Sequence, residues 1–323
     1  MKLPLFAAAR WWLPFSCLLL TSCALHPSSG RLRVEAGYCD PPQVYRYDAA
    51  TAPLPSIQPV LDSALTAHYL RRNLLIANAA GVLPQLKALT QLERTAQQQP
   101  SPAHTLAALA QRQQVLARLQ LMATSIASTA AELDCEGERA DQVAGYLAEQ
   151  EDRYEQRLTV LSIGVGAVAG VGTTVFDQKI PQYAFGIGGG LLTAGLGLLT
   201  LTSHRTIAFE HPRNLLTDIW EEKPTSALYP PSVWYCLQEK AFSNQGETSV
   251  GHNTRQRWQH YGQLAQPNSP KGRQQQALLF GQGGKYSVEE LRIRANMLNE
   301  LQAAVRLIEQ DLQALLLALT RTS

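Results

Sequence analysis

Two long apolar stretches separated by a short polar connector decide the fold of this chain. Residues 158–176 read LTVLSIGVGAVAGVGTTVF, and residues 184–202 read AFGIGGGLLTAGLGLLTLT. Neither stretch contains a charged residue, and each would extend about 28 Å as an α-helix, close to the thickness of the hydrocarbon core of a bilayer. The connector, DQKIPQ at 177–182, is polar and contains a proline. We therefore expect an antiparallel hairpin of two transmembrane helices.

Small residues recur at intervals of four within both apolar stretches. Gly166 and Gly170 form one GxxxG pair, and Gly186 and Gly190 form another. Such pairs line one helical face and let two backbones approach closely, which is how helices gain packing energy in lipid. We expect these four glycines to pack the hairpin. Over about 45 residues the chain resembles the glycine-zipper hairpins of Gram-negative outer-membrane lipoproteins, and this resemblance implies a membrane-embedded hairpin.

Two other arrangements of the hairpin are open. In one, the hairpin is the buried centre of a soluble helical bundle. In the other, the hairpin enters the membrane only after the protein rearranges. Glycine costs about 1 kcal/mol relative to alanine inside a soluble helix, so a water-soluble core would be poorly served by so many glycines. Each arm also lacks the polar stripe that a bundle helix presents to water. The composition favours membrane insertion.

The first 23 residues have the features of a bacterial export signal that ends at a lipid-attachment site. Lys2 and Arg10 accompany an apolar run at 11–20, which has the length of a signal-peptide core and is too short to span a bilayer. The sequence LTSC at 20–23 resembles the lipobox of bacterial lipoproteins. An ordinary secretory leader would need a small-residue cleavage site elsewhere, and no other position offers a better one.

The lipobox resemblance implies that residues 1–22 are removed and that Cys23, carrying the lipid, becomes the first residue of the mature chain. Since residue 24 is alanine and not aspartate, the resemblance to Gram-negative lipoproteins also implies the outer membrane rather than the inner one, with the helical body in the periplasm. The lipid is the one covalent addition that we expect. We expect no other cofactor and no metal.

Three further cysteines, Cys39, Cys135 and Cys236, would face an oxidising periplasm. Because their number is odd, at most one internal disulfide can form, and the sequence does not choose among the three pairings. None of them lies in a recognisable nucleophile motif, so we expect a structural disulfide rather than a reactive thiol.

Composition favours an all-α protein that does not bind nucleic acid. The formal net charge is +2 over 323 residues, and no block of like charges forms the basic stripe that nucleic-acid binding requires. Aromatic residues are sparse at 7%, whereas alanine, leucine and glutamine are abundant, which favours helices over a sandwich or barrel. We expect a bundle of long helices from which the transmembrane hairpin extends.

Apolar spacings of three and four predict three helices at 57–157. The first begins near Ile57 and is interrupted at Pro84. Its stripe comprises Val60, Leu61, Ala64, Ala67, Leu70 and Leu74. Ser101-Pro102 should start the second, with serine as the N-cap and proline at the first helical position. The predicted inward side of the second helix consists of Leu106, Leu109, Leu116, Leu119, Ile126 and Leu133.

The third helix should begin after Gly137 and continue into the first membrane arm. Its predicted face consists of Ala140, Val143, Leu147, Tyr154 and Leu158. Beyond the hairpin, residues 203–286 contain three tryptophans and a polar run at 244–273. We expect a few short helices and an exposed loop there rather than a compact second domain.

The clearest helix lies at 287–323 and starts with a capping box formed by Ser287 and Glu290. Its coiled-coil-like seam is interrupted only by Arg294. The apolar members are Leu291, Leu298, Leu301, Val305, Ile308, Leu312, Leu315 and Leu319. Such a seam must meet another helix, and we expect packing against the earlier helices rather than against a second copy.

Motifs for catalysis or metal binding do not stand out. The glycine-rich segment 281–285 lacks the glycine at 279 and the Ser or Thr at 286 that a phosphate-binding loop needs, so we interpret it as a flexible turn. His252 and His260 lack a Cys or acidic partner at ligand spacing and are expected to be surface histidines. No nucleophile elbow and no zinc-protease helix motif is present. We do not expect an enzyme.

The sequence thus predicts a non-enzymatic envelope lipoprotein that is a membrane-anchored structural or interaction scaffold. The alternative is a pore-forming or membrane-remodelling helical protein, because long amphipathic helices around one apolar hairpin resemble α-helical pore-forming toxins in outline. The expected partners are membrane lipid and either another protein or a second copy. The predicted segments are a signal peptide at 1–22, an acylated tether at 23–56, a bundle at 57–157, the hairpin at 158–202, a polar and partly irregular region at 203–286, and the C-terminal helix at 287–323.

Overall fold

The computed structural model describes residues 34–43, 45–175, 179–202, 205–261, 264, 266 and 268–321. This part of the chain is predominantly helical and contains two short strands, which confirms the all-α class. The described residues from Glu35 onward form one compact unit.

Three helices replace the single interrupted helix that was predicted after Ile57. They are α1 (Ser63–His68), α2 (Arg71–Ala79) and α3 (Leu83–Gln98). Leu70 has extended backbone between α1 and α2 and is 76% exposed, so the predicted stripe does not continue through it. Pro84 lies in the first turn of α3. Backbone N–H groups in the first turn have no partner within the helix, so a proline there costs no hydrogen bond. It therefore starts a helix instead of interrupting one.

Helix α4 extends without interruption from Pro102 to Val175, a length of 74 residues. The predicted N-cap is confirmed, since the Ser101 hydroxyl accepts a hydrogen bond from the His104 N–H at 3.2 Å. The predicted boundary between two helices at Gly137 is wrong. A Cβ atom on this glycine would lie 2.7 Å from the Asn299 side-chain oxygen. A side chain here would have to displace the end of the Asn299 side chain, so Gly137 lies at a close contact inside α4 and does not end the helix.

The buried face of α4 differs along its length. Leu119, Ile126 and Leu133 are buried as predicted, but Leu106, Leu109 and Leu116 are exposed, so the inward assignment was wrong for them. The first part of α4 is covered by α3, whose contacts fall on a different side, at Ala108 and Val115. With the exception of the half-buried Tyr154, the face predicted for the third helix is buried: Ala140, Val143, Leu147 and Leu158.

The C-terminal helix, α10 (Val288–Arg321), packs mainly along α4 and also contacts α2. The predicted capping box is confirmed. The Ser287 N–H donates to a Glu290 carboxylate oxygen at 2.9 Å, and the Glu290 N–H donates to the Ser287 hydroxyl at 3.3 Å. Every predicted member of the seam is buried, including Arg294, so the seam is covered within one chain.

The region after the hairpin is better packed than predicted. Its helices are α6 (Leu215–Trp220), α7 (Pro231–Gln238), α8 (Val250–His260) and α9 (Pro270–Phe280). Trp258 is fully buried, and the rings of Trp220 and Phe280 stack with centroids 4.3 Å apart. The polar run does not form one exposed loop, because it contains all of α8, whose Trp258 reaches the core, and the start of α9.

Two short strands were not predicted. Strand β1 (Ile207–Glu210) pairs antiparallel with β2 (Gly283–Tyr286), and Ile207 lies opposite Tyr286. The interpretation of 281–285 as a turn is correct for Gly281 and Gln282 and wrong from Gly283 onward, where β2 begins. Gly283 has φ +102°, and a Cβ atom on it would collide with the backbone of Phe209. Glycine at this position permits the close approach of β2 to β1.

Candidate membrane-binding hairpin

The two predicted apolar arms form an antiparallel helical hairpin. The first arm is the end of α4, from Leu158 to Val175, and the second is α5 (Lys179–Thr202). Large apolar side chains point outward from both arms and are 50% to 70% exposed. They are Val160, Leu161, Ile163, Val168, Val171, Val175, Ile187, Leu191, Leu192, Leu198 and Leu199.

Both helices of the hairpin are long and apolar enough to cross a bilayer by length and composition. The apolar window in α4 is 11% buried, and the window at Tyr183–Thr200 in α5 is 0% buried. These values differ from those of a core helix in a soluble protein, which would have most of its apolar side chains covered. Within the described residues, the rest of the protein does not cover the hairpin.

The tightest contacts between the arms are at Gly172 and Gly189. A Cβ atom on Gly172 would lie 2.5 Å from the Phe185 ring, and one on Gly189 would collide with Ala169. At these two positions the missing side chain allows the opposite arm to approach. Both glycines fall outside the GxxxG pairs identified in the sequence, although they lie within the same two apolar stretches.

The four glycines of the GxxxG pairs lie together along one side of the hairpin. A Cβ atom on Gly166, Gly170 or Gly190 would meet nothing within 4 Å, and one on Gly186 would be in ordinary contact with Thr173 at 3.6 Å. These glycines line a shallow groove of about 560 Å³ between the arms. The structure thus brings the four residues to one surface but does not use them as the closest contacts.

The hairpin joins the body at a charged and aromatic base. Arg205, just after the second arm, donates from its backbone N–H to the Glu151 carboxylate at 2.7 Å and from its guanidinium group to Gln150 at 3.1 Å. The same guanidinium group lies 5.3 Å from the centre of the Tyr154 ring. The chain leaving the second arm is thereby attached to α4 within about two turns of Leu158, the buried apolar residue at which the first arm begins.

A disulfide attaches the N-terminal segment to α4. Cys39 and Cys135 are bonded, with Cα atoms 5.7 Å apart, which selects one of the three pairings left open by the sequence. Cys236 is a buried free cysteine in α7, and burial raises the pKa of its thiol well above the ordinary value, so it remains protonated at neutral pH. Cys23, the predicted lipid-attachment residue, lies outside the described residues.

A buried charged cluster connects α4, α10 and the sheet. Arg139 makes a bidentate ion pair with Glu136, at 3.1 and 2.9 Å, and its guanidinium group lies 4.0 Å from the centre of the Phe209 ring. Arg294 is fully buried and lies 3.9 Å from the same Glu136 carboxylate. It also donates to the Asn214 side-chain oxygen at 3.2 Å. One carboxylate therefore balances two buried guanidinium groups.

Next to this cluster, His211 and Tyr286 form a buried hydrogen-bonded pair. The Tyr286 hydroxyl donates to the Leu278 carbonyl at 2.8 Å and therefore accepts from His211 Nε2, also at 2.8 Å. Burial, reinforced by the positive charge of Arg294, lowers the pKa of His211 to about 2. Burial raises the pKa of Tyr286 to about 12. Both groups are neutral across the physiological range, so the pair acts in packing rather than in proton transfer.

Sequence reasoning found one member of this cluster and missed the others. Arg294 stood out as the single polar interruption of an apolar seam, which is the signal that a buried charge leaves in a sequence. His211 and Glu136 left no such signal. Their burial depends on the pairing of two strands that lie more than 70 residues apart in the chain.

His252 and His260 lie at the surface as predicted, but His252 has an acidic partner that the sequence did not indicate. His252 Nδ1 lies 2.5 Å from a Glu222 carboxylate oxygen, and His260 Nδ1 lies 2.8 Å from the Gln256 carbonyl oxygen, both at the protein surface. In the ranges that the structure describes, no group of three or more His, Cys, Asp or Glu side chains could hold a metal ion.

No known protein family, curated protein or solved structure matches this chain. A functional conclusion must therefore come from the chain itself. The exposed hairpin, its charged base and the disulfide-attached N-terminal segment are the features that bear on it.

Proposed function

We propose that this chain is a non-enzymatic envelope lipoprotein that holds a helical body on a membrane and acts there as a structural or interaction scaffold. The observation that carries the proposal is the exposure of the hairpin, whose apolar side chains point outward. Exposing apolar area to water costs about 25 cal/mol per Å². A bilayer around the hairpin would remove that cost.

The dimensions of the hairpin support insertion. Leu158 to Val175 would extend about 27 Å and the window at Tyr183–Thr200 about the same, close to the roughly 30 Å hydrocarbon core. Arg157 and Arg205 lie at the start of the first arm and just after the second. In an antiparallel hairpin both therefore lie at its base, where long basic side chains suit the headgroup region on one side of the membrane.

The lipid anchor and the hairpin can occupy the same membrane. Cys39 is fixed to Cys135, which lies about 34 Å along α4 from Leu158. The roughly 16 residues from Cys23 to Cys39 can span at most about 55 Å when extended. A lipid on Cys23 is therefore within reach of the membrane that the hairpin would enter. We propose that this is the outer membrane, on the resemblance of the sequence around Cys23 to sorted lipoproteins.

The scaffold role is supported by the continuity of α4. A single helix passes from the body into the hairpin, so the orientation of the body would be coupled to that of the membrane segment. A flexible linker would not transmit orientation in this way. A rigidly held body is suited to presenting a binding surface at a fixed distance from the bilayer.

The pore-forming alternative would require a hairpin that is hidden in the body until it is released. The outward-facing side chains favour the scaffold instead. Dye release from liposomes separates the two: a scaffold should leave loaded vesicles sealed, whereas a pore former should empty them.

The anchoring proposal can be tested with three versions of the full chain. They are the wild type, a Cys23→Ala variant exported by a cleavable leader, and the same variant with residues 158–202 replaced by a Gly/Ser linker. One acyl chain gives only marginal binding, whereas a transmembrane helix is effectively permanent. We expect the first two to resist carbonate extraction and to float with liposomes. The third should be soluble and should keep a protease-resistant body.

Two outcomes would contradict the proposal. A soluble Cys23→Ala protein would mean that the hairpin does not insert. Mass spectrometry of the mature N-terminus tests the lipid anchor. If the mature chain is unmodified and begins at a residue other than Cys23, there is no lipid anchor, and the hairpin would be the only membrane attachment in the proposal.

A further inference from the structure

The exposed face of the first part of α4 carries no charge. Across residues 102–131, all of which the structure describes, every exposed side chain is uncharged. The large apolar members of this face are 38% to 66% exposed, and they are Leu106, Leu109, Leu116 and Leu121. Farther along the same helix, the exposed positions include Asp134, Glu138 and Asp141. A helix face that contacts only water is normally charged and polar, so the uncharged face is suited to a contact with another helix.

The spacing along this face is that of a coiled-coil seam. With Leu106 as heptad position a, the exposed side chains fall at positions a, d and e over about three heptads. Those at a and d are Leu106, Leu109, Gln113, Leu116 and Gln120, and those at e are Ala103, Ala110 and Ala117. The opposite side of this part of α4 packs against α3. The seam can therefore pair with one more helix, and its alanines allow that helix to approach closely.

Lipid does not cover this seam when the hairpin is inserted. Since α4 continues into the first arm, Leu106 lies about 78 Å along the helix axis from Leu158, at 1.5 Å per residue. Transmembrane helices tilt by at most about 40°, which leaves Leu106 roughly 60 Å above the bilayer. Every copy that inserts from the same side carries its seam at the same height and in the same direction. Two neighbouring copies can therefore pair in parallel and in register.

The seam is complementary to itself in that arrangement. Each residue of a parallel, in-register pair faces its own counterpart, so a charge on the seam would meet the same charge. The seam has none, and the carboxamides of Gln113 and Gln120 can both donate to and accept from their counterparts. Charges at the flanking heptad positions normally select a different chain. Here Arg112, on one flank, is already paired with Glu93 of α3 in its own chain, and the other flank is alanine.

We propose that two copies of this chain pair in the membrane through the seam of α4, as parallel helices in register. This inference rests on the proposed membrane anchoring, which aligns the copies. A strip about 40 Å long and about 10 Å wide covers roughly 400 Å² of each copy. Stable interfaces in solution bury about 800 Å² per partner. The pairing therefore depends on the high effective concentration of copies that are confined to one membrane.

The test is disulfide crosslinking of the full chain in the envelope membranes of a bacterium that exports it. Gln113→Cys places a thiol in the middle of the seam, where the two Cα atoms would lie within the roughly 7 Å that a disulfide requires. Gln114→Cys is the matched control, because this glutamine is also exposed but is turned about 100° around the helix. Among the described cysteines, Cys39 and Cys135 are bonded and Cys236 is buried, so the introduced thiol is the accessible one. Mild oxidation should give about tenfold more covalent dimer from the seam variant than from the control, which corresponds to about 1.4 kcal/mol.

A charge on the seam should separate the copies. In the Gln113→Cys background, Leu109→Lys places two like charges opposite each other and should lower the dimer yield about tenfold or more. Gln114→Lys, which adds the same charge beside the seam, should leave the yield unchanged. The proposal is wrong if Gln113→Cys gives no more dimer than Gln114→Cys, or if Leu109→Lys does not lower the yield. Crosslinking of Gln113→Cys to a different protein, identified by mass spectrometry, would instead make the seam a docking site for that protein.

Carbonate extraction of the same membranes keeps this proposal separate from the anchoring proposal. Leu109→Lys should resist extraction like the wild type, because the seam lies outside the hairpin. A chain that resists extraction but gives no dimer would contradict the pairing and leave the anchor intact. A chain that carbonate extracts, and that still gives the dimer from Gln113→Cys, would contradict the anchor and show that the pairing does not need it.

Discussion

Between Leu119 and Leu158, helix α4 buries most of its larger apolar side chains, whereas between Val160 and Val175 it exposes most of them. In the first part, residues such as Leu119 and Leu133 face the other helices. In the second part, Val160 and Val168 face outward, and the small residues of the two arms face each other. The same helix thus follows two opposite burial patterns.

This difference identifies the solvent that each part is suited to. In water, the burial of large apolar side chains drives packing, so they face inward. In lipid, apolar area gains nothing from burial, and helices associate through close contacts of small residues such as Gly172 and Gly189. The pattern reverses near Leu158, next to the charged base. Substitutions in one part of α4 should therefore leave the other part unaffected.

The largest expected effect is on the packing of α10 against the body. Leu301 and Ile308 are 0% and 5% exposed. Truncating each to alanine should cost about 2 to 5 kcal/mol, and the double variant about 4 to 10 kcal/mol, of the free energy of unfolding. Thermal unfolding and limited proteolysis should show a loosened body, while liposome flotation stays unchanged. Gln302→Ala is not a neutral control, because Gln302 is half-buried and donates to the Asp134 carboxylate on α4 at 2.8 Å. Gln313→Ala, at an exposed position of the same helix, should do little.

A different result would change the interpretation of the seam. If the double variant instead converts crosslinked oligomers to monomers and leaves the monomer protease-resistant, the seam joins separate chains. If neither change occurs, the seam is not a packed interface.

The next effect concerns the buried charge cluster. Glu136→Gln keeps the shape of the side chain but removes the carboxylate that balances Arg139 and Arg294, and breaking a buried ion pair in this way costs about 3 to 5 kcal/mol. Glu149→Gln is the control, because its ion pair with Arg153 is exposed and such pairs contribute about 0.3 to 0.5 kcal/mol. Chemical denaturation should separate the two variants. Equal stability would mean that the cluster is not buried in solution.

The sequence predicted those elements whose signals are local. The capping box at Ser287 and the apolar spacing after it determine α10 without reference to any other segment. The charge-free composition of the two arms likewise predicted an apolar hairpin. In both cases one stretch of chain contains all the information that its structure requires.

Features that depend on distant contacts could not be predicted. Glycine often ends a helix, and the local sequence does not reveal that α4 continues through Gly137, where it comes close to Asn299. The pairing of β1 with β2 joins two four-residue segments that have no strand periodicity of their own. In the hairpin, the four-residue spacing of the glycines predicted which helical faces they line. Which glycines make the closest contacts depends on how one arm is rotated against the other, and these are Gly172 and Gly189.

A charge in the hairpin should affect membrane binding and leave the body intact. Val168 lies near the centre of the first arm and is 64% exposed. In the Cys23→Ala background, Val168→Asp should cost about 2.5 to 3.5 kcal/mol of insertion free energy and strongly reduce flotation. Leu109→Asp, at an exposed position in the body part of the same helix, should float normally. If both variants float equally well, the two parts of α4 do not face different solvents.

The smallest expected effect is a pH dependence that belongs to the body alone. His211 has a pKa of about 2 in the folded chain, against about 6.5 when unfolded, so the unfolded chain binds a proton more readily below pH 6.5. The stabilising contribution of the neutral histidine is therefore complete above pH 6.5 and is lost progressively as the pH falls. At pH 5 the loss should be about 2 kcal/mol relative to neutral pH.

A His211→Gln variant should not show that part of the pH dependence, because glutamine does not titrate and can still donate a hydrogen bond toward Tyr286. Comparing the unfolding free energies of the two proteins at pH 7 and pH 5 removes the contributions of the other titrating groups, which both proteins share. The apolar windows of the hairpin contain no Asp, Glu, Lys or Arg side chain, so flotation should not follow the same pH profile. A parallel loss of flotation and stability between pH 7 and pH 5 would show that the hairpin depends on the packing of the body and would contradict the independence of the two parts.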